Sequence, residues 1–72
     1  MIKNKLRMFR EANRKSLEQV GRAVGVKRAH ISNIENNKRY PGIEIMFKLA
    51  NYFKIKVDEL FQYESEKEIN KD

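Results

Sequence analysis

The feature that most limits how this chain can fold lies between Ser16 and Ile34, where two short runs of helical spacing meet at a single glycine. Ser16-Leu17-Glu18-Gln19 opens the first run. A serine hydroxyl there can accept from the backbone amide three residues on while the glutamine reaches back, a capping box. Val20, Gly21 and Val24 share one face of that helix, Gly25 ends it in a left-handed turn, and Val26 fills the corner. Lys27 to Asn36 then reads as a second helix whose inner face is Ile31 and Ile34. Its outer face carries Lys27, Arg28, Ala29, His30, Ser32 and Asn33. Long donors beside small residues on an exposed helix suit the major groove of DNA, about 12 Å wide.

The remaining apolar spacing predicts three more helices, an all-α, five-helix arrangement. A first helix, Lys5 to Asn13, buries Leu6 and Phe9 with Met8 at its margin. After the polar loop Asn37-Lys38-Arg39-Tyr40-Pro41, Gly42 caps a fourth helix from Ile43 to Phe53, with Ile45, Met46, Leu49, Ala50 and Phe53 as its inward stripe. Val57-Asp58-Glu59-Leu60 is a short fifth. Both ends of this unit, Met1-Ile2-Lys3 and Phe61-Gln62-Tyr63-Glu64, alternate apolar and polar. Two readings stay open for them: a small two-stranded antiparallel terminal sheet, or frayed coil. One domain over residues 1–64 is expected, followed by a charged tail, 65–72, with no apolar face to bury and therefore disordered.

Charge narrows the partners. The chain carries a formal +6, but after Tyr63 four acids (Glu64, Glu66, Glu68, Asp72) face only two lysines (Lys67, Lys71), so the positive excess sits in the folded part. Such a surface concentrates polyanions. Cysteine is absent, which removes disulfides and thiolate zinc sites and suits a reducing cytoplasm. No stretch approaches a signal peptide or the roughly 20 apolar residues of a membrane span. A cytoplasmic protein that does not meet the membrane is expected.

These residues resemble the helix-turn-helix domain of the small phage-type (XRE-type) repressors, which includes the lambdoid repressor and Cro proteins. The likeness runs from about Lys5 to Phe61. It rests on Ser16, Gly25, Ile31-Ser32, Ile34-Glu35-Asn36, Lys38-Arg39, Pro41, Leu49-Ala50 and Val57-Asp58-Glu59-Leu60-Phe61, and the ending Phe61-Gln62-Tyr63 is similar to that of stand-alone short members. The resemblance implies a repressor-like fold, chain ends paired as strands near a two-fold interface, and a structural salt bridge between Arg10 and Glu35 that ties the recognition helix to the first helix. It implies sequence-specific binding of double-stranded DNA by a homodimeric transcriptional regulator, most often a repressor on a palindromic operator. Against the family pattern, Gly21 stands where alanine is common, Leu17 where glutamine often reaches a phosphate, Lys15 where an apolar residue is usual, and Asn37 where glycine is. Lys27 replaces the usual serine or threonine cap.

The expected roles follow from chemistry and position. Arg28 is the main base reader, since its guanidinium can bond guanine O6 and N7 together; Lys27, Ala29 and Asn33 complete the base contacts, Ala29 against a thymine methyl. Lysine as an N-cap is unfavourable both as a cap and to the helix dipole, which is explained if Lys27 meets an anion. Ser16, His30, Ser32, Asn36, Asn37, Lys38 and Arg39 are the candidate phosphate contacts, which position the protein rather than specify sequence. Val57, Leu60, Phe61 and Tyr63 are the candidate dimer interface.

Other functions fit poorly. His30 is the single histidine and has no second His or Cys to complete a metal site, so neither metal nor cofactor is expected. No nucleophile, acid–base pair or Gly-rich phosphate loop can be assembled, which argues against an enzyme. Tyr40, Tyr52 and Tyr63 are too scattered for an RNA-stacking platform. A protein-interaction module of the same fold, an antitoxin or adaptor, stays open as the alternative. No small-molecule effector domain is expected.

Overall fold

A computed structural model describes residues 2–63. Its elements run β1 (Ile2–Asn4), α1 (Leu6–Ala12), α2 (Leu17–Val24), α3 (Arg28–Glu35), α4 (Ile43–Phe53), α5 (Val57–Leu60) and β2 (Phe61–Tyr63). The architecture is the expected five-helix one with a small terminal sheet. The disordered tail expected at 65–72, like Met1 and Glu64 of the expected strands, lies outside the described residues.

Helix starts follow local hydrogen-bonding chemistry. Ser16 Oγ accepts from the Gln19 amide at 3.0 Å and Gln19 Oε1 accepts from the Ser16 amide at 2.8 Å, the reciprocal box that opens α2. At α1 the cap is one residue earlier than the helix boundary: Asn4 Oδ1 accepts from the Leu6 amide at 3.2 Å. Glu59 Oε1 accepts from the Lys56 amide at 2.8 Å and steadies the single turn of α5.

Helix ends follow one rule that composition hides. Each of the first four helices stops at a residue with a left-handed backbone: Arg14 (φ 56°), Gly25 (φ 84°), Asn37 (φ 59°) and Lys54 (φ 58°). In each case the next amide reaches back to a carbonyl in the last turn: Lys15 to Arg10, Val26 to Gly21, Lys38 to Asn33, Ile55 to Ala50, all at 2.8–3.0 Å. This is the Schellman closure, which satisfies carbonyls that the helix itself cannot. Only Gly25 adopts that conformation without steric penalty.

The core is made where these faces meet. Leu6, Val20, Val24, Ile31, Ile34, Leu49, Ala50, Leu60 and Phe61 are buried together. The stripe read on α4 is narrower than expected: Leu49 and Ala50 are buried, whereas Ile45, Met46 and Phe53 pack against the cluster from its edge. Phe53 meets Phe9 with ring centroids 6.3 Å apart and Tyr52 edge-on at 5.0 Å. The chain ends pair antiparallel, Ile2 with Tyr63, Lys3 with Gln62 and Asn4 with Phe61. The first strand thus reaches Asn4, one residue beyond the alternating segment.

Gly21 sits at the tightest approach in the helix-turn-helix unit. A Cβ there would lie 2.6 Å from the Val26 carbonyl oxygen, which belongs to the turn backbone and has little room to yield. The helix-propensity loss of about 1 kcal/mol that glycine brings is therefore set against an overpacking penalty of about 1–3 kcal/mol.

Candidate nucleic-acid interface

Helix α3 presents its first turn to solvent. Lys27, the N-cap, has extended backbone and makes no side-chain cap, and Lys27, Arg28 and Ala29 are exposed. His30, Ser32 and Asn33 are half-buried, while Ile31 and Ile34 are sealed in the core. The outer face is therefore graded: fully open at the N-terminal turn and partly sheltered one turn later. Among the described residues, no hydrogen bond or ion pair engages the side chains of Lys27, Arg28, Lys38 or Arg39. By contrast Arg22 pairs with Glu18 at 3.3 Å and Lys48 with Glu44 at 3.2 Å.

Arg28 stands between two hollows at the junction of α2 and α3. One is lined by Arg10, Ser16, Leu17, Glu18 and Arg28, the other by Glu18, Arg22, Val26, Lys27 and Arg28. Ser16 is thus close to the open end of α3, although its oxygen is already an acceptor in the α2 box.

The far end of α3 is held by α1. Arg10 donates to both oxygens of Glu35, at 2.6 and 3.2 Å, and to the Lys15 carbonyl at 3.0 Å. This is the pairing that the family likeness implied. The Glu35 side chain is only 1% exposed and Arg10 14%. The hydrogen bond to Glu35 raises the Arg10 pKa above its ordinary value against the opposing effect of burial.

Sequence reading missed two partners of this end. Arg7 donates to Glu35 Oε1 at 3.3 Å and to Asn36 Oδ1 at 2.8 Å. Asn4 Nδ2 donates to the Ile34 carbonyl at 3.0 Å and to Asn37 Oδ1 at 3.1 Å. The spacing of Arg7 and Arg10, on one helix face, was an available sign of a shared carboxylate. For Asn4 the only sign was an asparagine ahead of a helix, which announces a cap and says nothing about α3.

The candidate phosphate contacts divide accordingly. Asn36 Nδ2 donates to the Ser32 carbonyl and hydroxyl at 3.0 and 3.4 Å, and Asn37 accepts from Asn4. Ser16, Ser32, Asn36 and Asn37 thus have side-chain work inside the fold. His30, Lys38 and Arg39 make no such side-chain bond among the described residues. Among those residues no group of three His, Cys, Asp or Glu side chains is placed to hold a metal, and no helix is long and apolar enough to cross a membrane.

Of the candidate dimer residues, two are placed in the core. Leu60 is 0% exposed and Phe61 6%, because the pairing of β1 with β2 and the packing of α5 draw both into the core. Leu60 has no surface left to offer, and Phe61 only floors a groove. The groove is walled by Phe47, Ala50, Asn51, Ile55 and Val57, with Lys56 and Asp58 at its edge. Phe47 is 60% exposed and Tyr63, on β2, 76%.

Residues 6–60 match the sequence model of a protein family described as helix-turn-helix. An uncharacterised HTH-type transcriptional regulator of Methanocaldococcus jannaschii is 34% identical over 65 residues, 90% of this chain and 98% of that protein. The HTH-type regulator YgzD of Bacillus subtilis, also uncharacterised, is 31% identical over 65 residues, again 90% and 98% of the two chains. Among solved structures, the P22 c2 repressor in complex with a synthetic operator superposes with a TM-score of 0.73 at 24% identity, over 75% of this chain and 82% of that one. The N-terminal DNA binding domain of SinR from Bacillus subtilis superposes with a TM-score of 0.72 at 23% identity, over 88% and 91%. At these identities the two structures establish the fold.

Proposed function

The chain belongs to the helix-turn-helix family, and from that premise we propose that it is a sequence-specific, double-stranded DNA-binding transcriptional regulator that represses from a palindromic operator as a homodimer. One observation carries the reading. The basic first turn of α3 is exposed and without internal partners among the described residues, while the rest of the helix is fixed by Ile31, Ile34 and the buried Glu35. A rigid helix with an open cationic end is what base-edge readout requires. Relatives named as HTH-type transcriptional regulators, and a like-folded repressor bound to operator DNA, support the same reading.

In this reading Arg28 addresses a guanine, Lys27, Ala29 and Asn33 contact neighbouring bases, and Lys38, Arg39 and His30 take the phosphates. Ser16, Ser32, Asn36 and Asn37 add phosphate contacts from positions already fixed by their internal bonds. The homodimer uses the groove of Phe47, Ile55 and Val57, floored by Phe61, with exposed Tyr63 as a further apolar element. Opposite charges at its edge, Lys56 and Asp58, provide the self-complementarity of a two-fold contact. No catalytic role belongs to this reading.

Selection of bound fragments from a random duplex pool, at two salt concentrations, tests it. A pair of inverted half-sites one helical turn apart is the expected result, with affinity falling steeply as salt rises. Repeating the selection with Arg28→Ala should relax the preference at one base position, by about 1–3 kcal/mol. Recovery of no enriched sequence would refute the proposal.

A further inference from the structure

We propose that Asn4 is a positioning residue for DNA binding: its side-chain amide ties the paired chain ends to the backbone-gripping loop after α3. The inference rests on the DNA-binding reading for its functional part and on geometry for the rest. Asn4 lies in β1, where its backbone register is set opposite Phe61 of β2, and the neighbouring Lys5 amide donates to the Leu60 carbonyl at 2.9 Å. From that anchored position one side chain makes three bonds. Its Oδ1 caps α1 at the Leu6 amide, and its Nδ2 reaches the Ile34 carbonyl and Asn37 Oδ1. The chemistry fixes which end is which, because an amide N–H can only donate and a carbonyl can only accept.

One of these bonds reaches Asn37 itself, and another shares the Ile34 carbonyl that accepts from the Asn37 amide at 3.1 Å. Asn37 holds a left-handed backbone, which costs a non-glycine residue steric energy, and the Schellman closure from Lys38 to Asn33 depends on it. Lys38 and Arg39 follow directly, without internal side-chain partners among the described residues. Their direction toward a DNA backbone is therefore set by the turn that Asn4 steadies. Through Asn4, the state of the terminal strand pair is communicated to the DNA-facing surface.

Asn4→Ser separates this role from simple stability, since a serine hydroxyl can still accept from the Leu6 amide but is too short to reach Ile34 or Asn37. In the full chain without DNA, amide hydrogen exchange should quicken at Asn37 and Lys38 while Leu6 keeps its protection, and the urea midpoint should fall as the loss of two hydrogen bonds requires. Unchanged exchange at Lys38 would overturn the proposal, whether or not the protein binds DNA. With DNA, the variant should bind selected and random duplex more weakly, by about fivefold to thirtyfold for two lost hydrogen bonds. In a Lys38→Ala, Arg39→Ala background that loss should shrink to about twofold or less, because both positioned groups are gone. Full additivity would overturn the proposal. Should Asn4→Ser fail to fold, Asn37→Gly removes the acceptor while easing the left-handed backbone. Faster amide exchange at Lys38 in the DNA-free chain, which the loss of a phosphate contact cannot produce, then supports the link, and unchanged exchange contradicts it. If the wild-type chain binds no duplex, the DNA reading fails and the exchange result alone decides the role of Asn4.

Discussion

Helices α2 and α3 have eight residues each and adjoin at the Gly25 turn, yet their first turns are finished in opposite ways. The chain closes α2 on itself: Ser16 and Gln19 satisfy each other's backbone groups, and Glu18 places a carboxylate at the positive end of the helix. At α3 there is no side-chain cap and no acid, and Lys27 and Arg28 add positive charge where the helix already carries it. The lesson is one of division of labour. A helix whose end is completed by its own neighbours suits a scaffold, and one left with open donors and added positive charge suits an anion.

The largest expected effect comes from releasing the far end of α3. Glu35→Ala strands the largely buried Arg10 and frees Arg7, and should destabilise the fold by about 3–5 kcal/mol. Urea unfolding checks this, and a loss under 1 kcal/mol would mean that α3 is anchored by its isoleucines alone. A smaller change tests the open end. Lys27→Ser gives α3 the cap that α2 has, which should stabilise the protein by about 1 kcal/mol. At the same time it should weaken DNA binding and relax the sequence preference at the base that Lys27 contacts. If stability and affinity rose together, the unfavourable lysine would have no functional explanation. The smallest effect lies away from both helices: Lys54→Gly relieves a left-handed lysine and should add about 0.5 kcal/mol, partly offset by the freedom glycine gains in the unfolded chain. A thermal midpoint a few degrees higher, with unchanged DNA affinity, is the outcome to look for.

What could be read in the sequence, and what could not, divides along the same line. The Ser16 box, the Gly25 turn, the inward isoleucines of α3 and the extent of every helix to within about two residues are encoded by neighbours three or four positions apart, where spacing alone decides. The left-handed endings at Arg14 and Lys54 carried no such sign, because neither residue prefers the conformation that the closing bonds from Lys15 to Arg10 and from Ile55 to Ala50 accompany. Asn4 and Arg7 bond partners about thirty positions away, and only the packing of α1 against α3 brings them together. Leu60 and Phe61 were apolar enough for either core or interface. The packing of α5 and the pairing of β2, not composition, place them in the core.

Backbone amide shifts on titration with a selected duplex provide the most direct test of the contrast between the two helices. The account predicts that the largest changes fall on Lys27 to Asn33 and Asn37 to Arg39, with the first turn of α2 moving less and the groove around Phe47 and Val57 unmoved once the dimer is formed. Changes centred on that groove, with Arg28 and its neighbours silent, would contradict it.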